Sequence, residues 1–152
     1  MKNLVKLILS IVVCQLAGII GSIFTIKSVS TWYLTLNKPF FNPPNWLFGP
    51  IWISLYFLMG IALFLVLQKK DNKKALILFG TQLFLNAFWS IVFFGLKSPL
   101  FGLIVIFVLW ALILLTIIKF FKVSKPAAWL LIPYIVWVSF ASVLNLYLWI
   151  LN

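Results

Sequence analysis

The sequence has no histidine and no arginine, and its 152 residues include one cysteine and one acidic residue, Asp71. A serine or cysteine nucleophile is usually activated by a histidine base, and an aspartic protease needs two carboxylates that share a proton. Zinc sites need several histidine, cysteine or carboxylate ligands. None of these sites can be assembled within one chain of this composition, so we expect no hydrolase, no protease and no metal site.

Charged residues are also scarce, at 9% of the chain, whereas 65% of the residues are hydrophobic and 18% are aromatic. In a soluble domain about a quarter of all residues are charged. The composition and the mean hydropathy of +1.22 therefore exclude both a soluble domain and a disordered chain. The twelve basic residues, all lysine, give a net charge of +11. Because they lie in short segments between apolar runs, we interpret them as topology signals and expect no nucleic-acid partner.

Five apolar runs are long enough to cross the roughly 30 Å hydrocarbon core of a bilayer as helices. The predicted helices are 7–26, 51–67, 75–96, 100–118 and 127–151. The sequence therefore predicts an all-α membrane protein in which residues 1–152 form one five-helix transmembrane domain. The first run is too long for the apolar region of a signal peptide, and we expect it to be retained.

The lysines predict the orientation of these helices. Nine lie before the first run or in the second and fourth connections, and three, Lys27, Lys38 and Lys97, lie in the first and third. Because positive residues of short loops concentrate on the cytoplasmic side, we expect a multi-pass cell-membrane protein with a cytoplasmic N-terminus and an external C-terminus.

The first connection, 27–50, differs from the others because it is long and rich in proline and aromatic residues. Prolines stiffen the backbone, and aromatic rings give the segment apolar surface with which to lie on the bundle. We predict that this long first loop is ordered and caps one mouth of the bundle.

Three segments resemble the signature of the TspO/MBR family, which comprises the tryptophan-rich sensory proteins of bacteria and the mitochondrial translocator protein, also known as the peripheral benzodiazepine receptor. Residues 32–56 read WYLTLNKPFFNPPNWLFGPIWISLY, residues 82–90 read QLFLNAFWS, and residues 133–145 read PYIVWVSFASVLN. The resemblance extends over essentially the whole chain, with the segments in the same order.

This resemblance implies a compact five-helix bundle, often a homodimer, with a pocket beneath the first loop. It further implies binding of tetrapyrroles such as protoporphyrin IX and of benzodiazepine-receptor-type ligands. Family members are also associated with light-dependent oxidative degradation of bound porphyrin. Porphyrin would then be a ligand or a substrate, no cofactor would be required, and membrane lipid would be the other partner.

From helical spacing alone, side chains of three predicted helices form polar and aromatic stripes. The stripes are Trp52, Tyr56 and Met59; Gln82, Asn86, Trp89, Ser90 and Phe93; and Pro133, Trp137, Ala141 and Asn145. Together they could enclose a small-molecule pocket. Buried amides also serve as hydrogen bonds between membrane helices, and for Asn86 and Asn145 both interpretations stand.

The resemblance assigns the family's pocket to seven residues of this chain, and Trp89 is added from the stripe of the third helix. The predicted ligand-binding residues are Tyr33, Pro43, Trp52, Tyr56, Asn86, Trp89, Trp137 and Ala141. Trp52 and Trp137 are also the candidates for photooxidation, because an oxidisable indole beside an excited porphyrin needs no acid, base or metal.

Other features narrow the prediction. The family's sterol-recognition pattern lacks its basic residue after Tyr147, and no residue has an evident activating partner for haem ligation.

The pairs Ala17/Gly21 and Gly18/Ser22 could pack helices within the chain or between two copies. The alternative function is a transporter or sensor of porphyrins or other small hydrophobic molecules without catalysis.

Overall fold

The computed structural model describes residues 1–152 and is helical throughout, with no strand. The α-helices are α1 (Lys2–Val29), α2 (Trp32–Thr35), α3 (Asn45–Leu67), α4 (Lys73–Ser90), α5 (Pro99–Val123), α6 (Lys125–Leu130) and α7 (Ile132–Leu151). One π-helical turn, Ile91–Gly95, continues α4. Five segments are long and apolar enough to span a membrane: α1, α3, α4 with its π turn, α5, and α6 together with α7. The predicted all-α architecture with five spans is confirmed.

The long first loop is not confirmed. Residues 27–29 belong to α1 and residues 45–50 to α3, so that only residues 30–44, which include the single turn α2, connect the two spans. We refer to residues 30–44 as the cap. The prolines misled the prediction, since Pro44 is the N-cap of α3 and Pro50 lies within its first two turns, where few helical hydrogen bonds are lost.

Two spans depart from regular α-helix. The span that begins with α4 ends in the π turn, and the last span breaks near its start. The Leu96 amide donates to the Ile91 carbonyl across the π turn at 2.9 Å. In the last span the helix breaks at Leu131, because Pro133 has no N–H to donate and its ring disfavours helical backbone just before it. The predicted helices 75–96 and 127–151 are therefore each interrupted, although their extents are nearly right.

Glycines allow α1 to pack closely against its neighbours. A Cβ on Gly60 of α3 would lie 2.5 Å from the Ile11 Cα, and one on Gly18 would lie 2.5 Å from the Tyr56 ring. A Cβ on Gly21 would lie 3.0 Å from the Ser90 Oγ. Gly18 and Gly21 therefore pack against neighbouring helices of the same chain.

The cap is fastened to the end of α7. Asn37 donates its backbone N–H to the Asn152 Oδ1 at 2.8 Å, and the Asn152 amide donates back to the Asn37 carbonyl at 2.9 Å. Phe41 packs edge-on against Phe140 and Tyr147 of α7, with ring centroids 6.2 and 5.2 Å apart. These contacts place the cap over one end of the bundle, called here the cap end.

The close approach of α1 and α3 yields a prediction. Replacing Gly60 with leucine would drive the new side chain into the backbone of α1, which cannot move as a flexible side chain can. We expect Gly60→Leu to lower the free energy of unfolding by about 1–3 kcal/mol or more, measured as a lower thermal midpoint in detergent. Gly80→Leu is the matched control, because a Cβ at Gly80 meets nothing within 4 Å. Equal midpoints for the two variants would contradict the packing.

Candidate functional site

A cavity of about 610 Å³ lies at the cap end of the bundle, between α1, α3, α7 and the π turn, with α2 beside it. Its wall is largely aromatic. The aromatic residues that line it are Tyr33, Trp46, Phe48, Trp52, Tyr56, Trp89, Phe93, Phe94 and Trp137. Volumes of roughly 300–1,000 Å³ with apolar walls and few polar groups are typical of small-molecule sites, and this cavity meets both criteria.

Most polar side chains of the wall are already engaged. Gln15 donates to the Ile53 carbonyl at 3.0 Å, and the hydroxyls of Ser22 and Thr25 donate to carbonyls of their own helix. The Trp89 indole donates to the Asn145 Oδ1 at 3.2 Å, and the Asn145 amide donates to the Pro99 carbonyl at 2.7 Å. These groups are therefore satisfied without a ligand.

Trp137 is the exception. Its Nε1 is buried and has no hydrogen-bond partner, and it is the one such side-chain atom in the protein. The ring is held between Phe48, at 6.0 Å, and Phe140, at 5.3 Å between centroids. A buried donor without an acceptor costs about 1–3 kcal/mol. A ligand that places an acceptor near this indole would recover that free energy.

A chain of buried hydrogen bonds forms the floor of the cavity. The Tyr56 hydroxyl donates to the Asn86 Oδ1, and the Asn86 amide donates to the Tyr134 hydroxyl at 2.7 Å. Tyr134 in turn donates to the Gln82 Oε1 at 2.7 Å. The network links α3, α4 and α7, and it orients Tyr56, on which Trp52 stacks with ring centroids 5.6 Å apart. Asn86 therefore acts as a link between helices.

The cap contributes Tyr33, which is 2% exposed. Its hydroxyl donates to the Asn42 Oδ1 at 2.6 Å, and burial raises the pKa of Tyr33 to about 12, so the phenol remains a neutral donor at physiological pH. Lys38 lies with its Nζ 5.0 Å from the centre of the Tyr33 ring and donates to the carbonyls of Leu34 and Leu36. This lysine is thus engaged by the cap itself.

The cavity opens sideways. Every exposed residue of its lining belongs to α1 or α3, including Ile26, which is 71% exposed, and Ile53, which is 61% exposed. The two helices touch lower down, where Gly18 meets Tyr56 and Gly60 meets Ile11. The exposed side of the cavity therefore lies between α1 and α3.

The TspO/MBR family profile matches residues 10–150 of the chain. A tryptophan-rich protein TspO of Chlorobaculum tepidum is 49% identical over 95% of this chain and 94% of its own length. One of Archaeoglobus fulgidus is 47% identical over 99% of both chains. The translocator protein of Homo sapiens is 34% identical over 89% of this chain and 83% of its own.

The chain belongs to the TspO/MBR family. The resemblance of its three sequence segments is therefore confirmed, and the five spans are those of a multi-pass membrane protein of this family.

In this TspO/MBR chain, six of the eight residues predicted to bind a ligand meet at the cavity. They are Tyr33, Trp52, Tyr56, Trp89, Trp137 and Ala141. Pro43 and Asn86 do not line it: Pro43 accepts a hydrogen bond from Asn42 in the cap, and Asn86 lies behind Tyr56. Lys27 and Lys38, two lysines near the cap, also lie outside the lining.

Sequence reasoning missed Phe48, Phe94 and the whole α1 side of the wall, including Ser22 and Thr25. Phe94 follows Phe93 directly, and both side chains are buried at the π turn, where they line the cavity. The α1 side carried a signal in its spaced small residues, which indicated a close helix contact but gave no sign of a cavity.

The buried network yields a second prediction. Tyr134→Phe keeps the ring but removes the hydroxyl that accepts from Asn86 and donates to Gln82. We expect it to lower the free energy of unfolding by about 0.6–2 kcal/mol, measured by denaturant titration in mixed micelles. Tyr147→Phe, on an exposed part of α7, is the matched control and should change little. A Tyr134→Phe variant as stable as the control would show that the network adds no stability.

Proposed function

We propose that this TspO/MBR protein binds a flat, largely apolar tetrapyrrole of the protoporphyrin IX type in the aromatic cavity. The observation that carries the proposal is the wall itself, in which indole, phenol and phenyl rings surround about 610 Å³. Aromatic side chains favour offset-stacked or edge-to-face contacts with another ring system. A planar macrocycle presents such surface on both faces and at its edge.

The unpartnered Trp137 N–H supports the same proposal. A ligand carboxylate or carbonyl within reach of this indole would accept the hydrogen bond that no group of the protein accepts. Benzodiazepine-receptor-type ligands combine fused aromatic rings with a carbonyl acceptor, and we propose them as a second class that this cavity takes. The Trp137 N–H would then favour ligands that carry a hydrogen-bond acceptor, and the other aromatic rings of the wall would favour ligands of a flat shape.

The relatives named tryptophan-rich sensory protein and translocator protein support a role as a membrane sensor or translocator. The shape of the cavity favours ligand binding over passage through the bundle, because the cavity is open on one side only. It opens between α1 and α3 near the cap, and below it Met59, Ala62 and Phe79 are buried in a packed core. With the orientation that the lysines predict, ligand would enter from the outer leaflet.

Titration of purified protein in nanodiscs with protoporphyrin IX tests this binding. Because Trp137→Phe keeps an aromatic ring and loses only the N–H donor, we expect its Kd to rise about 2- to 12-fold. Ala141→Leu, which fills part of the cavity, should weaken binding more. Trp129→Phe is the control, since Trp129 is exposed on α6 and lies outside the lining. If wild type takes up no porphyrin, or if all three variants match it, the proposal is wrong.

A second candidate function is light-dependent oxidation of the bound porphyrin. Two observations favour it: Trp52 stacks on Tyr56, and Trp137 stands in the same wall, so two oxidisable indoles border the space where the macrocycle would lie. The excited porphyrin would pass its energy to dioxygen, and the oxygen would add to the macrocycle. Both oxygen atoms enter the product and no external electron donor is needed, so the protein would act by holding the pigment in place, with the two indoles packed against it.

Bleaching of bound porphyrin under illumination separates catalysis from binding alone. At saturating porphyrin, we expect Trp52→Phe and Trp137→Phe to bleach it several-fold more slowly than wild type, and Trp129→Phe to behave as wild type. Removal of dioxygen should stop the reaction in all four proteins. Equal bleaching rates in the three variants and wild type would leave only the binding function.

A further inference from the structure

A second, smaller cavity of about 240 Å³ lies at the cap end, between the end of α1 and the connection from the π turn to α5. Phe24, Lys27, Ser28, Thr31, Gly95 and Lys97 contribute to its lining. It is distinct from the aromatic cavity, because neither lysine lines that cavity and the Phe94 side chain stands between the two. Unlike the aromatic cavity, it is bordered by charged groups.

Neither lysine is paired with an acidic side chain of the chain. The only acidic residue, Asp71, lies between α3 and α4 at the opposite end of the bundle. Lys38, the third lysine of the cap end, is engaged with two backbone carbonyls and the Tyr33 ring. Lys27 and Lys97 therefore bring two cationic side chains from separate elements to one cavity, and an anionic ligand there would be complementary to both.

The backbone that carries these lysines is fixed. The Ser28 hydroxyl, which is buried, donates to the Phe94 carbonyl at 2.7 Å and ties α1 to the π turn. The Thr31 hydroxyl donates to the Lys27 carbonyl at 2.7 Å. A Cβ on Gly95 would lie 3.0 Å from the Phe24 ring, so the two elements are in close contact. The backbone at the two lysines is therefore held at set positions on either side of the cavity.

The cavity continues into apolar surface on one side. Ile23 is four residues before Lys27 on the same face of α1, and it is 65% exposed. Phe24 beside it is partly exposed as well. In a membrane this surface lies one helical turn deeper than the lysines, at the level where acyl chains begin. A ligand that fits must therefore have an anionic head and an apolar body.

We propose that this second cavity binds the phosphate of an anionic membrane phospholipid, held between Lys27 and Lys97 with its acyl chains along Ile23 and Phe24. The two ammonium groups supply donors to the phosphate oxygens, and the apolar face of α1 accounts for a lipid in preference to free phosphate. The site does not depend on the proposed porphyrin binding, since the two cavities use different polar groups.

Native mass spectrometry of the detergent-purified protein tests the proposal, with phosphatidylglycerol as the probe. We expect wild type to retain one phosphatidylglycerol more tightly than phosphatidylcholine. The double variant Lys27→Gln/Lys97→Gln should bind phosphatidylglycerol roughly 10- to 30-fold more weakly, in line with two lysine–phosphate contacts. Lys27→Arg/Lys97→Arg should keep the affinity, because arginine also donates to phosphate.

The control is Lys69→Gln/Lys70→Gln, which removes the same charge at the opposite end of the bundle and should change the affinity less than twofold. An equal loss in this control would overturn the site and leave only general attraction to charge. Inorganic phosphate that displaces the lipid at equal concentration would overturn the lipid assignment. The thermal midpoint without added lipid shows whether the variants are folded.

Discussion

Satisfaction of buried polar groups in a medium without water is the constraint on which this structure depends. A polar side chain inside a bilayer must find its partner within the protein. Tyr56, Asn86, Tyr134 and Gln82 solve this together, because each completes the hydrogen bonding of the next across three helices. The network supports the floor of the aromatic cavity and leaves Tyr56 and the stacked Trp52 in set positions.

Against this background the free N–H of Trp137 is informative. The wall of the cavity satisfies Trp89 through Asn145 and Gln15 through Ile53, yet it leaves the buried Trp137 N–H without a partner. A buried donor without an acceptor is costly, and in the proposed function a ligand supplies that acceptor. The free-energy cost of the unpaired Trp137 N–H in the folded protein would thus be recovered when the proposed ligand binds.

The two cavities at the cap end differ in the chemistry that they offer. One is walled by aromatic rings and opens between α1 and α3, and the other is flanked by two lysines. The Phe94 side chain borders both, and the carbonyl of the same residue holds Ser28 of α1. The π turn thus organises both cavities, since it directs successive phenylalanines inward and fixes the end of α1. Interruptions of this kind are frequent at functional sites.

The sequence by itself determined the class, the number of spans and six of the residues that line the cavity. Apolar run length is set by membrane thickness, and helical spacing put Trp52, Trp89 and Trp137 on faces that meet. The tertiary structure decided what depends on contacts between distant segments. It placed Asn86 behind Tyr56, shortened the first loop because Pro50 is tolerated near a helix start, and brought Lys27 beside Lys97. Spacing along one helix cannot give the partner of a side chain, because that partner lies on another helix.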